Sequence, residues 1–269
     1  MPLSSTIAAA ALGVLLVAEA VAPAFAEPRQ NLRRLVRHDL RNLLLGAANA
    51  LLSALVFGGL IVAVDGLASG RGFGVVRWLG LGDWSAWAAA LLMFDCWMYW
   101  WHRLNHAAPV LWSFHRAHHS DTAMDASSGV RFHPGEIALS GATRLAVVPL
   151  IGITVEQLAV YGAVALPVVL LQHANVRLPR WLDFGLFKSG LLVTPAMHRV
   201  HHSEVREETN SNYSSVLSIW DRLFGSLRER RDVENIRFGL QELRGERSQT
   251  LAGVLATPLE NPREDAGEA

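Results

Sequence analysis

The 269-residue chain has a single cysteine, Cys96, so an internal disulfide and a cysteine-built zinc or iron–sulfur site are both excluded. It carries no net charge, 24 basic residues balancing 24 acidic ones. Nucleic-acid binders normally show a basic excess, so there is no electrostatic case for nucleic acid as a partner, and none is expected. The apolar N-terminal stretch lacks the basic start of a signal peptide. The glycine run SGRGFG lacks the Lys-Ser/Thr of a phosphate loop and reads as a turn. Apart from one hexapeptide there is no internal repeat.

What is abundant is apolar. The chain is 51% hydrophobic with a mean hydropathy of +0.23, too apolar for an ordinary soluble protein. It has nine tryptophans, and several (Trp84, Trp100, Trp101, Trp112, Trp181) stand where apolar runs meet polar ones, as in a membrane-interface belt.

The runs define passes. Residues 2–26 are apolar apart from Glu19 and read as a first membrane helix with its N-terminus outside. A cleaved leader ending at Ala24-Phe25-Ala26 is the alternative. Arg29, Arg33, Arg34, Arg37 and Arg41 follow, and such a basic cluster stays cytoplasmic. Residues 42–64 carry no charge and are long enough to span. Residues 84–106 form a third helix. Residues 136–172 form a hairpin about Pro149, Gly152 and Thr154, spanning or re-entrant. The count of passes brings 27–41, 102–135 and 173–269 to one side, the cytoplasm. Residues 216–227 are amphipathic, suited to a membrane surface or to closing over a site. Three regions result: 1–83, N-terminal membrane helices and loops; 84–242, membrane helices together with the histidine-rich blocks; 243–269, a mobile polar tail.

The histidines are not scattered. HRAHHS (115–120) returns as HRVHHS (198–203), each copy setting histidines at i, i+3 and i+4 on one helix face. His102 and His106 form an i, i+4 pair, and His173 stands alone. These nine of the eleven histidines outnumber the ligands of one ion and suit two, with each triplet giving two ligands to one metal and one to its neighbour. His38 and His133 read as structural. For His173, ligand and bystander remain open. Asp95 and Tyr99 share a stripe with His102 and His106, and orientation of a ligand and a plain intramembrane hydrogen bond both fit them. Glu136 and Asn175 are similar.

With these blocks in view, the chain resembles the fatty acid hydroxylase / sterol desaturase family of integral-membrane di-iron proteins. The resemblance runs from about residue 88 to 227 and rests on DCWMYWWHRLNH (95–106), HRAHHS, RFHPGE (131–136), HANVRLP (173–179), HRVHHS and NYSSVLSIWDRLFGSL (212–227). It implies an all-α polytopic membrane bundle under a cytosolic histidine-rich cap. It also implies two iron ions, dioxygen as co-substrate, and His102, His106, His115, His118, His119, His173, His198, His201 and His202 as ligands. Where family chains carry a further HxxxH in the third block, position 177 would be histidine; here it is Arg177, with Asn175 nearby, which bears on the second metal's ligand set.

The expectation is an inner-membrane, multi-pass oxidoreductase that hydroxylates or desaturates a lipid C–H bond, with Asp95, Tyr99 and Asn175 supporting the ligands. No flavin or haem-carrying segment is present, so electrons would come from a separate donor protein. Two rivals remain: a haem-binding membrane electron carrier, and a zinc-dependent hydrolase or metal transporter.

Overall fold

Helical segments make up the computed structural model, which describes residues 3–25 and 32–260. Among the described residues there is no strand, only two isolated bridges. Readings that involve Ala26, Arg29 or residues 261–269 lie outside the described residues.

The order is α1 (Leu3–Val21), α2 (Leu32–Leu52), a π-helical segment (Ser53–Gly58) that carries it without a break into α3 (Gly59–Gly70), and a short α4 (Val75–Trp78). Then come α5 (Asp83–Ala107), α6 (Pro109–His119), a 3-10 turn (Ala126–Val130), α7 (Pro134–Ile151) and α8 (Val155–His173). The remainder is short: α9 (Arg180–Ser189), α10 (Pro195–His201), α11 (Arg206–Thr209), α12 (Ile219–Leu223) and α13 (Leu251–Ala256).

Two helical stretches are long and apolar enough to cross a membrane, Arg33–Trp78 and Val155–His173. The apolar part of α1, Thr6–Val21, is shorter. Leu51, Leu55, Leu60, Val62 and Leu67 are exposed on α2, the π-helical segment and α3, an apolar outer face without a protein partner among the described residues.

Local chemistry sets the helix ends. Pro134 opens α7, where a missing N–H costs nothing, and the His133 ring accepts from Gly135 N at 2.9 Å. Gly152, at φ 82°, ends α7 in the left-handed conformation. Thr154 and Gln157 then cap α8 reciprocally: Gln157 N donates to Thr154 Oγ1 (3.3 Å) and Thr154 N to Gln157 Oε1 (2.9 Å). The hairpin expected about Pro149–Thr154 is therefore present, with arms of 18 and 19 residues.

Contacts fix the directions. His38 of α2 meets Asp121, Asn49 meets the Phe132 carbonyl, Phe57 meets Gly141, and Asp65 Oδ2 accepts from Val155 N at the far turn. So α2–α3 and α7 run away from the 115–132 region. Helices α5 and α8 run back towards it, locked by Asp95, Phe94 and Tyr161. The apolar core at the far end gathers Val76, Ala90, Phe94, Val148, Ile151 and Ile153. The eight paired or repeated histidines and His173 lie at the opposite end.

That end is braced by a buried polar strut. His38 Nε2 donates to Asp121 Oδ1 (2.8 Å), Ser128 Oγ to Asp121 Oδ2 (2.7 Å), and Asn42 Nδ2 to Ser127 Oγ (2.9 Å). Arg131, fully buried, donates from Nε to Ala117 O and from Nη2 to Ser120 Oγ. Burial alone would raise the Asp121 carboxyl, but the His38 ring and the Arg131 guanidinium hold it well below the usual carboxylate range.

Two segments are more closely integrated than their composition implies. Glu19 of α1 accepts from Ala126 N (2.9 Å) and Asn175 N (2.6 Å), so α1 is tied to the histidine end. The polar stretch from 243, expected to be mobile, packs against the histidine end as far as Glu260. Val254 packs with Leu45 and Ala117, and Arg116 donates to the carbonyls of Thr257 and Glu260. A polar composition hid this because the anchoring groups are mostly backbone carbonyls.

Replacing Asp121 with Asn leaves Arg131 buried without its countercharge. We expect a loss of about 3–5 kcal/mol, read as a lower thermal midpoint in detergent, whereas Asp232→Asn, at an exposed ion pair, leaves the midpoint nearly unchanged. Because the folded Asp121 titrates below its unfolded value, its contribution is full above about pH 4 and fades as the pH falls towards the folded value.

Candidate metal centre

Helix geometry sorts the histidines. Successive residues turn by about 100°, so i and i+4 project nearly together while i+3 leans away. Accordingly His115 and His119 enter one group and His118 enters the other. In the second copy His198 and His202 stay together and His201 crosses over. Helix α5 adds His102 and His106 to the first group, and the C-terminal end of α8 adds His173 to the second. The result is five histidines (102, 106, 115, 119, 201) and four (118, 173, 198, 202), each offering one ring nitrogen within 4.8 Å of the others in its group. The rings of His119 and His202 stack across the two groups, 4.5 Å between centroids.

Most rings are oriented from behind. His102 Nδ1 donates to the Tyr213 carbonyl (2.8 Å), His201 Nδ1 to Ser211 (2.6 Å), His118 Nδ1 to Arg131 (3.2 Å) and His173 Nδ1 to Val169 (2.7 Å). His115 Nδ1 donates to Glu136 Oε1 (2.9 Å), and His106 Nδ1 faces Asn210 Oδ1 (3.3 Å). A carbonyl only accepts, so the proton of each such neutral ring is on Nδ1 and its Nε2 carries a bare lone pair.

Those lone pairs meet head to head. Nε2 of His102 and His201 are 3.0 Å apart, and Nε2 of His118 and His173 are 3.2 Å apart. His198 Nε2 lies 3.1 Å from that of His173 and 3.2 Å from that of His202. In addition His106 Nε2, His115 Nε2 and both nitrogens of His119 are buried without a hydrogen bond. Protonating the rings is not the remedy. On α6, on α10 and at its C-cap, burial and then the neighbouring imidazoles push His118, His119, His198, His201 and His202 well below the ordinary histidine value. Neutral imidazoles with converging lone pairs form a donor set for a cation. Nitrogens about 2.1 Å from one ion stand about 3.0 Å apart when set at right angles, which is the spacing seen here.

The other candidate residues sit further out. Asp95 accepts from Tyr161 Oη (2.6 Å), Leu217 N (3.1 Å) and Trp220 Nε1 (2.7 Å), joining α5, α8 and the 217–220 segment. Tyr99 pairs with Ser226 Oγ (2.7 Å) and accepts from Arg103 (2.9 Å). Asn175 exchanges two hydrogen bonds with the Phe25 backbone, and Arg177 donates to Ala24 O. None of the three candidates hydrogen-bonds a histidine of either group. The four-histidine group assembles without a contribution from position 177. His133 caps α7, and His38 serves the Asp121 strut.

The partners that do orient the rings were largely missed by residue type, because most are carbonyls. Glu136 is the exception, sitting at the first turn of α7 and buried, with Oε2 free of hydrogen bonds.

A cavity of about 230 Å³ opens beneath the histidines. It reaches from His102, His115, His118, His173 and His198 between α5, α7 and α8, past Met98, Trp101, Phe132, Leu166 and Val169. Residues 212–227 close one side: Asp221 binds the amides of Tyr213 and Ser214 and the Ser226 hydroxyl, holding the Tyr213 carbonyl against His102.

Glu136→Gln keeps the shape but weakens the acceptor behind His115. We expect metal affinity to drop about 10–100-fold with an unchanged thermal midpoint, measured by chelator competition.

Comparison with known proteins agrees with this arrangement. The fatty acid hydroxylase family model matches residues 87–226, which contain all nine histidines. Human alkylglycerol monooxygenase is 30% identical over 159 residues, 57% of this chain and 33% of that protein. The ornithine lipid hydroxylase OlsE of Rhizobium tropici is 37% identical over 125 residues, 46% and 36% of the two chains. Human cholesterol 25-hydroxylase is 28% identical over 145 residues, 51% and 49%. The matched region thus spans about a third to a half of these relatives' own lengths. No solved structure matches. The family match covers just over half of the chain, and the chain belongs to the fatty acid hydroxylase family.

Proposed function

We propose that the protein is a membrane oxidoreductase that hydroxylates a C–H bond of a lipid, using two iron ions and dioxygen. The observation that carries this is the division of nine histidines, all but His102 and His106 buried, into groups of five and four with Nε2 atoms 3.0–3.2 Å apart. His102, His106, His115, His119 and His201 would hold one ion, and His118, His173, His198 and His202 the other. All-histidine donors suit a redox metal of intermediate softness, and the donor set contains no thiolate. Bound there, iron would supply the reduction of dioxygen and the removal of hydrogen from carbon.

The chain's own part is positioning. The carbonyls behind Nδ1 hold the imidazoles in one tautomer and keep Nε2 inward. Burial keeps them neutral and excludes water. The cavity between α5, α7 and α8 admits an apolar chain and ends at His102, His115 and His173, so it sets which carbon is presented. One oxygen atom goes to the substrate and the other leaves as water, with electrons from a separate donor protein. Hydroxylation is favoured over desaturation because the matched relatives are named hydroxylases and monooxygenases.

The bundle α2–α3, α5, α7 and α8 would cross the bilayer, with the histidine cap on the cytoplasmic face of the inner membrane. The basic residues Arg33, Arg34, Arg37 and Arg41 at the cap end of α2 support that orientation.

Protein purified without added metal should contain about two irons per chain and lack a Soret band. One haem per chain would favour the electron-carrier alternative and overturn this reading. His118→Ala and His201→Ala, which affect different groups, should each lower bound iron by about one ion and abolish oxygen consumption with lipid; unchanged iron in both variants would sink the ligand assignment. Zinc in place of iron, with no lipid-dependent oxygen uptake after iron loading, would point to the hydrolase or transporter alternative.

A further inference from the structure

One face of α7 lines the cavity. Glu136, Ser140 and Arg144 recur at four-residue intervals and all border it, opposite largely apolar walls. Arg144 is the anomaly. It lies in the middle of a helix of the bundle, yet no carboxylate among the described residues pairs with it. Its Nε is buried without a hydrogen bond, and among the described residues Nη2 has only the Met98 sulfur, 3.9 Å away, as a hydrogen-bond partner. Tyr161 is committed to Asp95, and Glu136 stands eight residues, about 12 Å, along the axis. A guanidinium offers five donors, and leaving them unpaired in an apolar setting is costly.

The geometry points to Arg144 as the residue that recognises a carboxylate on the bound lipid, held by the Nε–Nη edge while the chain runs towards the histidines. A planar guanidinium edge matches a carboxylate with two parallel hydrogen bonds. Met98 precedes His102 by one turn of α5, and Arg144 follows Glu136 by two turns of α7. The carbon at the histidines therefore stands about 6–12 Å from the carboxylate. The direction of the chain rests on the lipid-oxidation reading above; the anion subsite does not.

Decanoate and methyl decanoate carry the same chain and differ in charge. Their binding to the purified protein in detergent, at a pH where decanoate is ionised, is measured by calorimetry for wild type, Arg144→Met and Arg144→Lys. Wild type should bind decanoate at least about tenfold tighter than the ester, as a charge-assisted bond requires. Arg144→Met should lose that difference while keeping its affinity for the ester, and Arg144→Lys should keep part of it. The thermal midpoint of Arg144→Met should be no lower than wild type, since an unpaired charge is removed. Equal binding of the two probes by wild type overturns the proposal even if the variants fail to fold, as does an undiminished preference in Arg144→Met. A protein that prefers decanoate yet oxidises no lipid supports the subsite and counts against the oxidase reading. Oxidation of neutral lipids without any preference for decanoate does the reverse.

Discussion

Everything at the histidine end depends on one electrostatic conflict. Imidazoles whose Nδ1 protons are engaged by carbonyls point bare Nε2 lone pairs at one another at 3.0–3.2 Å. In water such rings would separate or take up protons. Here burial blocks both routes, because the charged form is penalised and the backbone behind each ring is fixed. Cations at the two points of convergence would resolve the conflict, turning repulsion between rings into shared coordination. The strut at Asp121, the Asp221 loop and the C-terminal clasp on Arg116 all resist the separation that the rings would otherwise drive.

The two-and-one split of each triplet follows from helical periodicity, so that much was legible in the sequence. Two facing HxxHH segments exchange their odd members, His118 and His201, because i+3 leans away from the i, i+4 row. His173 was not legible in this way. It is a lone histidine, and its place is set by where α8 ends, four residues beyond the Val169 carbonyl that it binds. The helical fold class and the 149–154 turn were also readable, because proline, glycine and a capping threonine mark local backbone states.

What was not legible shares one physical cause: backbone groups carry no residue signature. Tyr213, Ser211, Arg131 and Val169 orient histidine rings through carbonyls, which any residue type would supply. The same holds for the C-terminal segment, where Arg116 grips carbonyls of Thr257 and Glu260. Its polar composition suggested mobility, yet Val254 and Thr257 are buried and the Gln249 side chain donates to the Ser120 carbonyl. A stripe argument placed Asp95 and Tyr99 beside His102 and His106. It fixed the helix face correctly and left their partners open, since those come from the chain 60 to 130 residues further on.

That distance explains how Asp95 can matter without touching a histidine. It anchors Leu217 N and Trp220 Nε1, and Asp221 gathers Tyr213 N, Ser214 N and Ser226. Between them the two carboxylates fix residues 213–220, and the carbonyls of Ser211 and Tyr213 at the edge of that segment set the rings of His201 and His102. A shift of the segment would tilt one ring from α5 and one from α10 together, both in the five-histidine group. The four-histidine group takes its orientation from Arg131 and Val169 instead, one in the Asp121 strut and the other within α8. Each group is thus held by a different part of the fold. Rearrangement of the 213–220 segment would disturb one group first, whereas damage to the α2 strut would disturb the other.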